Sequence, residues 1–403
     1  MKITDVRTVL LTGPSTDDPY IRECRKLRSA AFIEIHTDTD LIGIGETYAG
    51  YFCPEIVPGI VEFFGPILVG QQIDNIRELW NRMYTCGNFW CRVGLGTAVL
   101  SGIEAALWDL KGKVTGLPVY ELLGGLKHDR LLCYASGGPS NYPKDRLAAK
   151  IDYYLSLGFR GFKLGVGSYS QSEWYMPSSP CEAADFEGDK LDFVRSHVGK
   201  EVFVMLDGHM GNSHREAWDL GAAKAVARAV EPYNLFFFEE PLPYTDPWSY
   251  SELSRSTFIP IAGGECLTAA YEWRVFAEAN CFDIGQPDAS FTGGLGEFTR
   301  VAAMLESRGR RIATHSWGAG ASFMQNLHCG FACANTAILE VPAAYGGLHR
   351  EVINGSFLME NGYALPPRKP GLGIVLTEDI KNRYPFVPGS GEFNSVPGKV
   401  LST

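Results

Sequence analysis

At 403 residues the chain exceeds one ordinary domain, and its 45% hydrophobic and 20% charged content fits a soluble protein with a large core. A formal net charge of −10 argues against a nucleic-acid surface, and no apolar run of about 18 residues offers a membrane span. The opening MKITDVRTVLL lacks a secretory leader's charged and apolar regions, and ten scattered cysteines without a CxxC pair read as reduced core thiols of a cytoplasmic protein, not as disulfides or a zinc site.

Residues 1–50 read as strands. VRTVLL precedes AFIEIHTDTDLIGIGET, two alternating runs around a Thr-Asp-Thr-Asp turn, and together they predict a small antiparallel sheet. Residues 54–124 turn helical: IVEFFGPILVG, NIRELWNRMYT and VLSGIEAALWDLKGKV carry apolar residues at three- and four-residue spacing. GLPVYELLGG closes this part, and 1–125 is expected to form an α+β capping domain.

From about 130 the pattern becomes strand-helix alternation. Eight candidate strands follow: LLCYAS, GFKLGV, VFVMLD, LFFFEE, IPIAGG, FDIGQP, RIATHS and AILEVP. Eight parallel strands with helical crossovers predict a closed, TIM-like β/α barrel over 126–360. An open doubly wound sheet is the alternative, but no GxGxxG follows a first strand. The polar, aromatic segment 168–185 reads as an insertion after the second strand, expected to overhang the active face as a lid or specificity loop. The Pro- and Gly-rich tail, 361–403, is expected to return to the capping domain.

Three of the strands end in acids: Asp207, Glu239 and Glu265, separated by 32 and 26 residues, roughly one β/α unit each. Adjacent parallel strands would bring the three carboxylates together, where mutual repulsion calls for a cation. An all-oxygen set suits Mg²⁺, with Mn²⁺ the alternative. The next three strands end in Asp288, His315 and Glu340. A carboxylate beside an imidazole fixes its tautomer and raises its basicity, so Asp288 and His315 read as a general-base pair. Any one of these could be a satisfied turn residue, but six in barrel register argue for a catalytic rim.

The constellation resembles the mandelate racemase-like subgroup of the enolase superfamily. The resemblance covers nearly the whole chain, including SGIEAALWDLKGK, GLPVYELLGG and the six rim motifs. It implies abstraction of the proton alpha to a carboxylate, with Mg²⁺ stabilising the resulting enediolate. It further implies Asp207, Glu239 and Glu265 as metal ligands, Asp288–His315 as the base dyad, and Glu340 beside the substrate carboxylate.

The third-strand motif DGHMG places His209 two residues after Asp207, on the same strand face if the strand continues. In some acid-sugar dehydratases of this subgroup a histidine here is the general acid; a supporting or carboxylate-binding histidine is the alternative. Many members carry Lys-x-Lys on the second strand. Here Lys163 matches the first lysine and Gly165 replaces the second, which disfavours two-base racemisation. Lys163 remains a candidate for substrate binding, for tuning local charge, or for a structural salt bridge.

Tyr48, Tyr51 and Phe52 follow the predicted hairpin and are candidates to set specificity, and Trp317 to wall the pocket; ordinary packing explains the first three equally well. Arg22, Arg25, Lys26 and Arg28 read as a solvated charge run, with contact of one of them to an acidic substrate the alternative. His36, His128, His197, His214, His328 and His349 occupy no rim position. The resemblance therefore implies a Mg²⁺-dependent sugar-acid dehydratase acting on a small molecule, and, as relatives of this type are usually oligomers, a homo-oligomer. A racemase or epimerase, or a catalytically silent sugar-acid-binding relative, is the alternative.

Overall fold

The computed structural model describes residues 1–14, 16–20, 26–137, 143–170, 173–211 and 217–389. Arg22, Arg25 and His214 lie outside them. Strands β1 (Ile3–Pro14), β2 (Leu27–Thr37) and β3 (Ile42–Thr47) form an antiparallel sheet in the order β1-β2-β3. Helices Val57–Leu68, Ile76–Gly87 and Leu95–Thr115 follow, as the three- and four-residue spacing predicts. The last of these is buried over most of its length and lies against β3. The approach is close because glycines line it: a Cβ on Gly45 would stand 2.2 Å from the Gly102 carbonyl oxygen.

Eight parallel strands then close a barrel: β4 (Leu131–Ser136), β5 (Gly161–Gly165), β8 (Phe203–Asp207), β9 (Phe238–Glu239), β10 (Ile261–Gly263), β11 (Ile284–Gly285), β12 (Arg311–Ala313) and β13 (Thr336–Pro342), with β13 pairing back onto β4. All eight runs named from the sequence supply a barrel strand, and the open-sheet alternative is excluded. Between β5 and β8 the chain makes a hairpin, β6 (Ser168–Ser170) and β7 (Glu173–Tyr175). A crossover helix then begins at Pro180, so the predicted insertion ends before Pro180 and not at 185. A Pro in the first helical turn is the local signal for that start.

One layer of side chains plugs the barrel interior: Tyr134, Met205, Phe237, Ala262, Ile284, Ala313 and Ile338, all buried. Side chains alternate along a strand, so residues two positions further on rise from this plug toward the carboxyl-end rim. Met205 leads to Asp207, Phe237 to Glu239, Ala313 to His315 and Ile338 to Glu340.

After the barrel, β14 (Met359–Glu360) and β15 (Tyr363–Ala364) form a hairpin against β4. The following chain runs along the first part of the molecule. Leu372 N donates to Asp109 Oδ1, and Thr12 N donates to the Tyr384 carbonyl. Asp109 also accepts from Ile44 N and pairs with Lys113 at 2.6 Å, so one buried carboxylate ties sheet, helix and tail together. All described cysteines are free, and no helix among the described residues is long and apolar enough to cross a membrane.

Gly45→Ala tests the close packing of β3 on its helix. The added methyl has no room, and we expect a loss of about 1–3 kcal/mol in chemical denaturation with the barrel fold retained.

Candidate active site

Asp207 and Glu239 end β8 and β9 and are register partners, so their carboxylates stand side by side. Lys163 on β5 is register partner to Met205, one layer lower, and its long side chain rises between the acids. Its Nζ lies 2.6 Å from Glu239 Oε1, 2.9 Å from Asp207 Oδ2 and 3.2 Å from Glu340 Oε1. Burial opposes its charge, but these three carboxylates outweigh burial and hold its pKa well above the ordinary value. Lys163 thus bridges three rim acids. Gly165, level with Asp207, stands where a second lysine would have reached the rim.

Glu265 departs from the simple alternation. It follows β10 by two residues, after Gly264 at φ +109°, where a side chain would collide with Trp273. That turn carries the Glu265 carboxylate to 3.6 Å from His315 Nε2. Glu240, Glu265 and Cys266 place one ligand atom each within 4.8 Å of one another. Glu240, the second acid of a Glu-Glu pair, and Cys266, next to Glu265, carry no spacing signal of their own in the sequence.

His315 Nδ1 donates to Asp288 Oδ2 at 2.7 Å, which leaves Nε2 facing the site. Asp288 is completely buried, and its other oxygen accepts from Ser290 N, Ser290 Oγ and Asn326 Nδ2. Burial pulls the His315 pKa down, but Glu265, Asp288 and Glu340 outweigh it and hold it at about 10. A cation sharing the charge of Glu265 would remove the largest upward pull and bring the ring toward the range where a base works. Glu340 Oε2 accepts from Ser316 N, which fixes the carboxylate beside Lys163.

His209 reaches the same cluster by an unexpected route. β8 ends at Asp207, so period-two alternation does not apply; His209 instead adopts a left-handed conformation at φ +50°. Its backbone N donates to Asp207 Oδ1, and its ring Nε2 lies 3.2 Å from Asp207 Oδ2. The side chain remains 64% exposed, free to meet a molecule entering the mouth.

An aromatic wall completes one side. Tyr48 packs on the His315 ring with centroids 5.4 Å apart, and Tyr51 and Phe52 pack on Tyr48. Trp317 Nε1 donates to Tyr51 Oη at 3.0 Å. Arg28 corrects the solvated-run expectation: it is buried on β2, its guanidinium lies 4.7 Å from the Trp317 ring centroid and 5.1 Å from that of Tyr51, and it donates to the Gly318 carbonyl. The aromatic partners that make its burial tolerable are remote in sequence.

The donor set fits a hard divalent cation. Five acids, Asp207, Glu239, Glu240, Glu265 and Glu340, crowd the rim against one lysine. Burial first, and neighbouring carboxylates next, push Glu239 and Glu240 well above their ordinary pKa. Glu240 Oε1 is buried and finds no donor among the described residues. Of the three expected ligands, Asp207 and Glu239 meet at Lys163, whereas Glu265 lies with Glu240 and Cys266, the group of described residues whose ligand atoms fall within 4.8 Å of one another, so Glu240 joins the acids that could hold the ion.

Residues 19–124 match the model of the mandelate racemase / muconate lactonizing enzyme N-terminal domain, and residues 146–380 that of the enolase C-terminal domain-like family. An arabinonate dehydratase from Saccharolobus solfataricus is 30% identical over 393 residues, 95% of this chain and 99% of its own. A D-galactonate dehydratase from Ralstonia nicotianae is 33% identical over 358 residues, 87% of this chain and 89% of its own. The crystal structure of the 3,6-anhydro-D-galactonate cycloisomerase from Zobellia galactanivorans superposes with a TM-score of 0.81 at 27% identity, covering 95% of this chain and 99% of that one.

Lys163→Met removes the cation seated among three buried carboxylates. We expect a loss of about 3–5 kcal/mol without metal, and a rise in melting temperature on adding Mg²⁺ that exceeds the wild-type rise. Equal metal-induced shifts in the two proteins would mean that Lys163 and the ion do not share these carboxylates.

Proposed function

The chain belongs to the mandelate racemase / muconate lactonizing enzyme family of the enolase superfamily, and from that membership we propose that it is a Mg²⁺-dependent hydro-lyase converting a 2,3-dihydroxy sugar acid to a 2-keto-3-deoxy acid. The observation that carries the reading is the His315–Asp288 pair, buried at the rim with Nε2 turned toward Glu265 and the acid cluster. Two relatives named for arabinonate and D-galactonate dehydration support the choice of an aldonate.

A divalent cation held by Asp207, Glu239 and Glu265 would stabilise the charge that builds on the substrate carboxylate as its alpha proton leaves. His315 Nε2 takes that proton from C2, and Asp288 steadies the imidazolium that results. Lys163 and Glu340 border the carboxylate, Lys163 as a fixed positive charge. Its Nζ reaches Glu239, Asp207 and Glu340 together. His209, exposed at the mouth, gives a proton to the departing C3 hydroxyl, which leaves as water. The electron pair of the broken C2–H bond becomes the C2–C3 double bond, and the enol tautomerises to the keto acid. Tyr51 and Trp317 wall the sugar chain and exclude water from His315.

A racemase or epimerase is the second reading, because His209 could serve as the opposed base. The absence of a second-strand base, with Gly165 at that level, favours dehydration. The closeness of a cycloisomerase structure shows that this architecture also carries other chemistry in a relative.

The test is a panel of aldonates and aldarates incubated with Mg²⁺, with 2-keto-3-deoxy product as the readout and EDTA as the control. EDTA-sensitive product from one stereochemical family is the expected result. Deuterium in recovered, configurationally inverted substrate without keto acid would replace dehydration by racemisation. His315→Asn should lower turnover by about 10²–10⁴-fold with Mg²⁺ affinity retained, whereas Asp207→Asn should weaken Mg²⁺ binding in calorimetry. His209→Asn separates the two proton transfers: alpha-proton exchange into deuterated water persists while keto-acid formation is lost. A His209→Asn protein that still forms product at the wild-type rate removes this residue from the acid role.

A further inference from the structure

Glu46, the last residue but one of β3 in the N-terminal sheet, is buried and is used by none of the steps above. Its carboxylate crosses to the barrel. Oε1 accepts from Ala319 N at 2.6 Å and Oε2 from Ser322 N at 2.8 Å, at the start of helix Ala321–Ala332. Gln325 of that helix grips the Glu46 backbone from both sides, accepting from its N and donating to its O. The same helix presents two groups to the dyad. Ser322 Oγ lies 2.6 Å from Ser290 Oγ, which donates to Asp288 Oδ1, and Asn326 Nδ2 donates to that oxygen at 2.8 Å. Asn326 Oδ1 accepts from Ala289 N, which fixes the backbone next to Asp288.

Burying a carboxylate here is costly: burial pushes Glu46 up to about 7 against the two N–H donors that pull it down. A neutral side chain could satisfy one of those donors. The carboxylate satisfies both, and so fixes the loop that carries His315 and the helix that carries Ser322 relative to each other.

We propose that Glu46 is a positioning residue for the His315–Asp288 dyad, acting through Ser322 and Asn326, so that the N-terminal sheet sets the orientation of the base. The proposal rests on the dyad reading given above. It differs from a purely structural role because Glu46 Oε1 and Oε2 bind the segment that leads from His315 to Ser322, the group that reaches Asp288 through Ser290.

The measurement is proton NMR of the full chain with Mg²⁺ and no substrate, following the His315 Nδ1 proton, assigned by its loss in His315→Asn. The wild-type proton should resonate downfield, as a hydrogen bond to a buried carboxylate requires, and Asp288→Asn should abolish that signal. Glu46→Gln and Ser322→Ala should each move it upfield or broaden it. Gln325→Ala, which removes hydrogen bonds to the Glu46 backbone and not to its carboxylate, should leave it in place. On an aldonate that the chain turns over, Glu46→Gln should lower kcat about 10- to 100-fold at unchanged KM, and Glu46→Asp should restore part of the loss. A resonance unmoved in both Glu46→Gln and Ser322→Ala overturns the proposal, as does an equal displacement in Gln325→Ala, which would reduce Glu46 to scaffolding. If Glu46→Gln fails to fold, Ser322→Ala decides, because it keeps the N–H that Glu46 binds and breaks only the hydroxyl link. A wild-type signal indifferent to Asp288→Asn would instead overturn the dyad itself.

Discussion

Negative charge gathered at one end of a closed barrel is the constraint on which the rest depends. Asp207, Glu239 and Glu340 are buried to within 2% of full coverage and meet at one ammonium, that of Lys163. Such a cluster is unfavourable unless a counter-charge is present, because desolvated like charges raise each other's energy steeply. The protein supplies one positive charge from β5, and an ion would supply the rest. The proton affinity of His315 follows from how that charge is shared, because Glu265 and Glu340 are among the groups that raise it.

The barrel makes this arrangement out of ordinary strands. A tightly filled interior layer from Tyr134 to Ile338 fixes which residues face inward, and alternation lifts the next inward residue onto the rim. The strands are as short as two residues at β9 and β11. Precision therefore comes from the plug beneath and from the helices around it, not from long ladders. Asp288 shows the same economy: it is held by Ser290, Asn326 and His315 after its strand has already ended.

Much of this was legible in the chain. Eight apolar runs pointed to the barrel, and the polar residues toward which the last six lead pointed to its rim, because strand alternation and unit length are local properties. What escaped depended on events past strand ends or on remote partners. His209 was placed by extending a two-residue period beyond a strand that stops at Asp207. Glu265 reaches the site through a left-handed Gly264, which no periodicity encodes. Arg28 looked solvated because composition does not reveal Tyr51 and Trp317 stacked against it. Glu46 ends an unremarkable alternating run, and its partners lie more than 270 residues away.

The bond from Glu46 into the barrel also bears on how such chains can be recombined. A sheet that only covered the mouth could be exchanged between relatives as an independent module, changing what enters without changing what reacts. Here the sheet's last strand ends inside the hydrogen-bond network that supports the base. A chimaera joining these first strands to another barrel would bring the Glu46 carboxylate with it, and that barrel would need N–H donors placed as those of Ala319 and Ser322 are here. The two parts of the chain are thus compatible only as a fitted pair, and the junction to design is the carboxylate, not the linker.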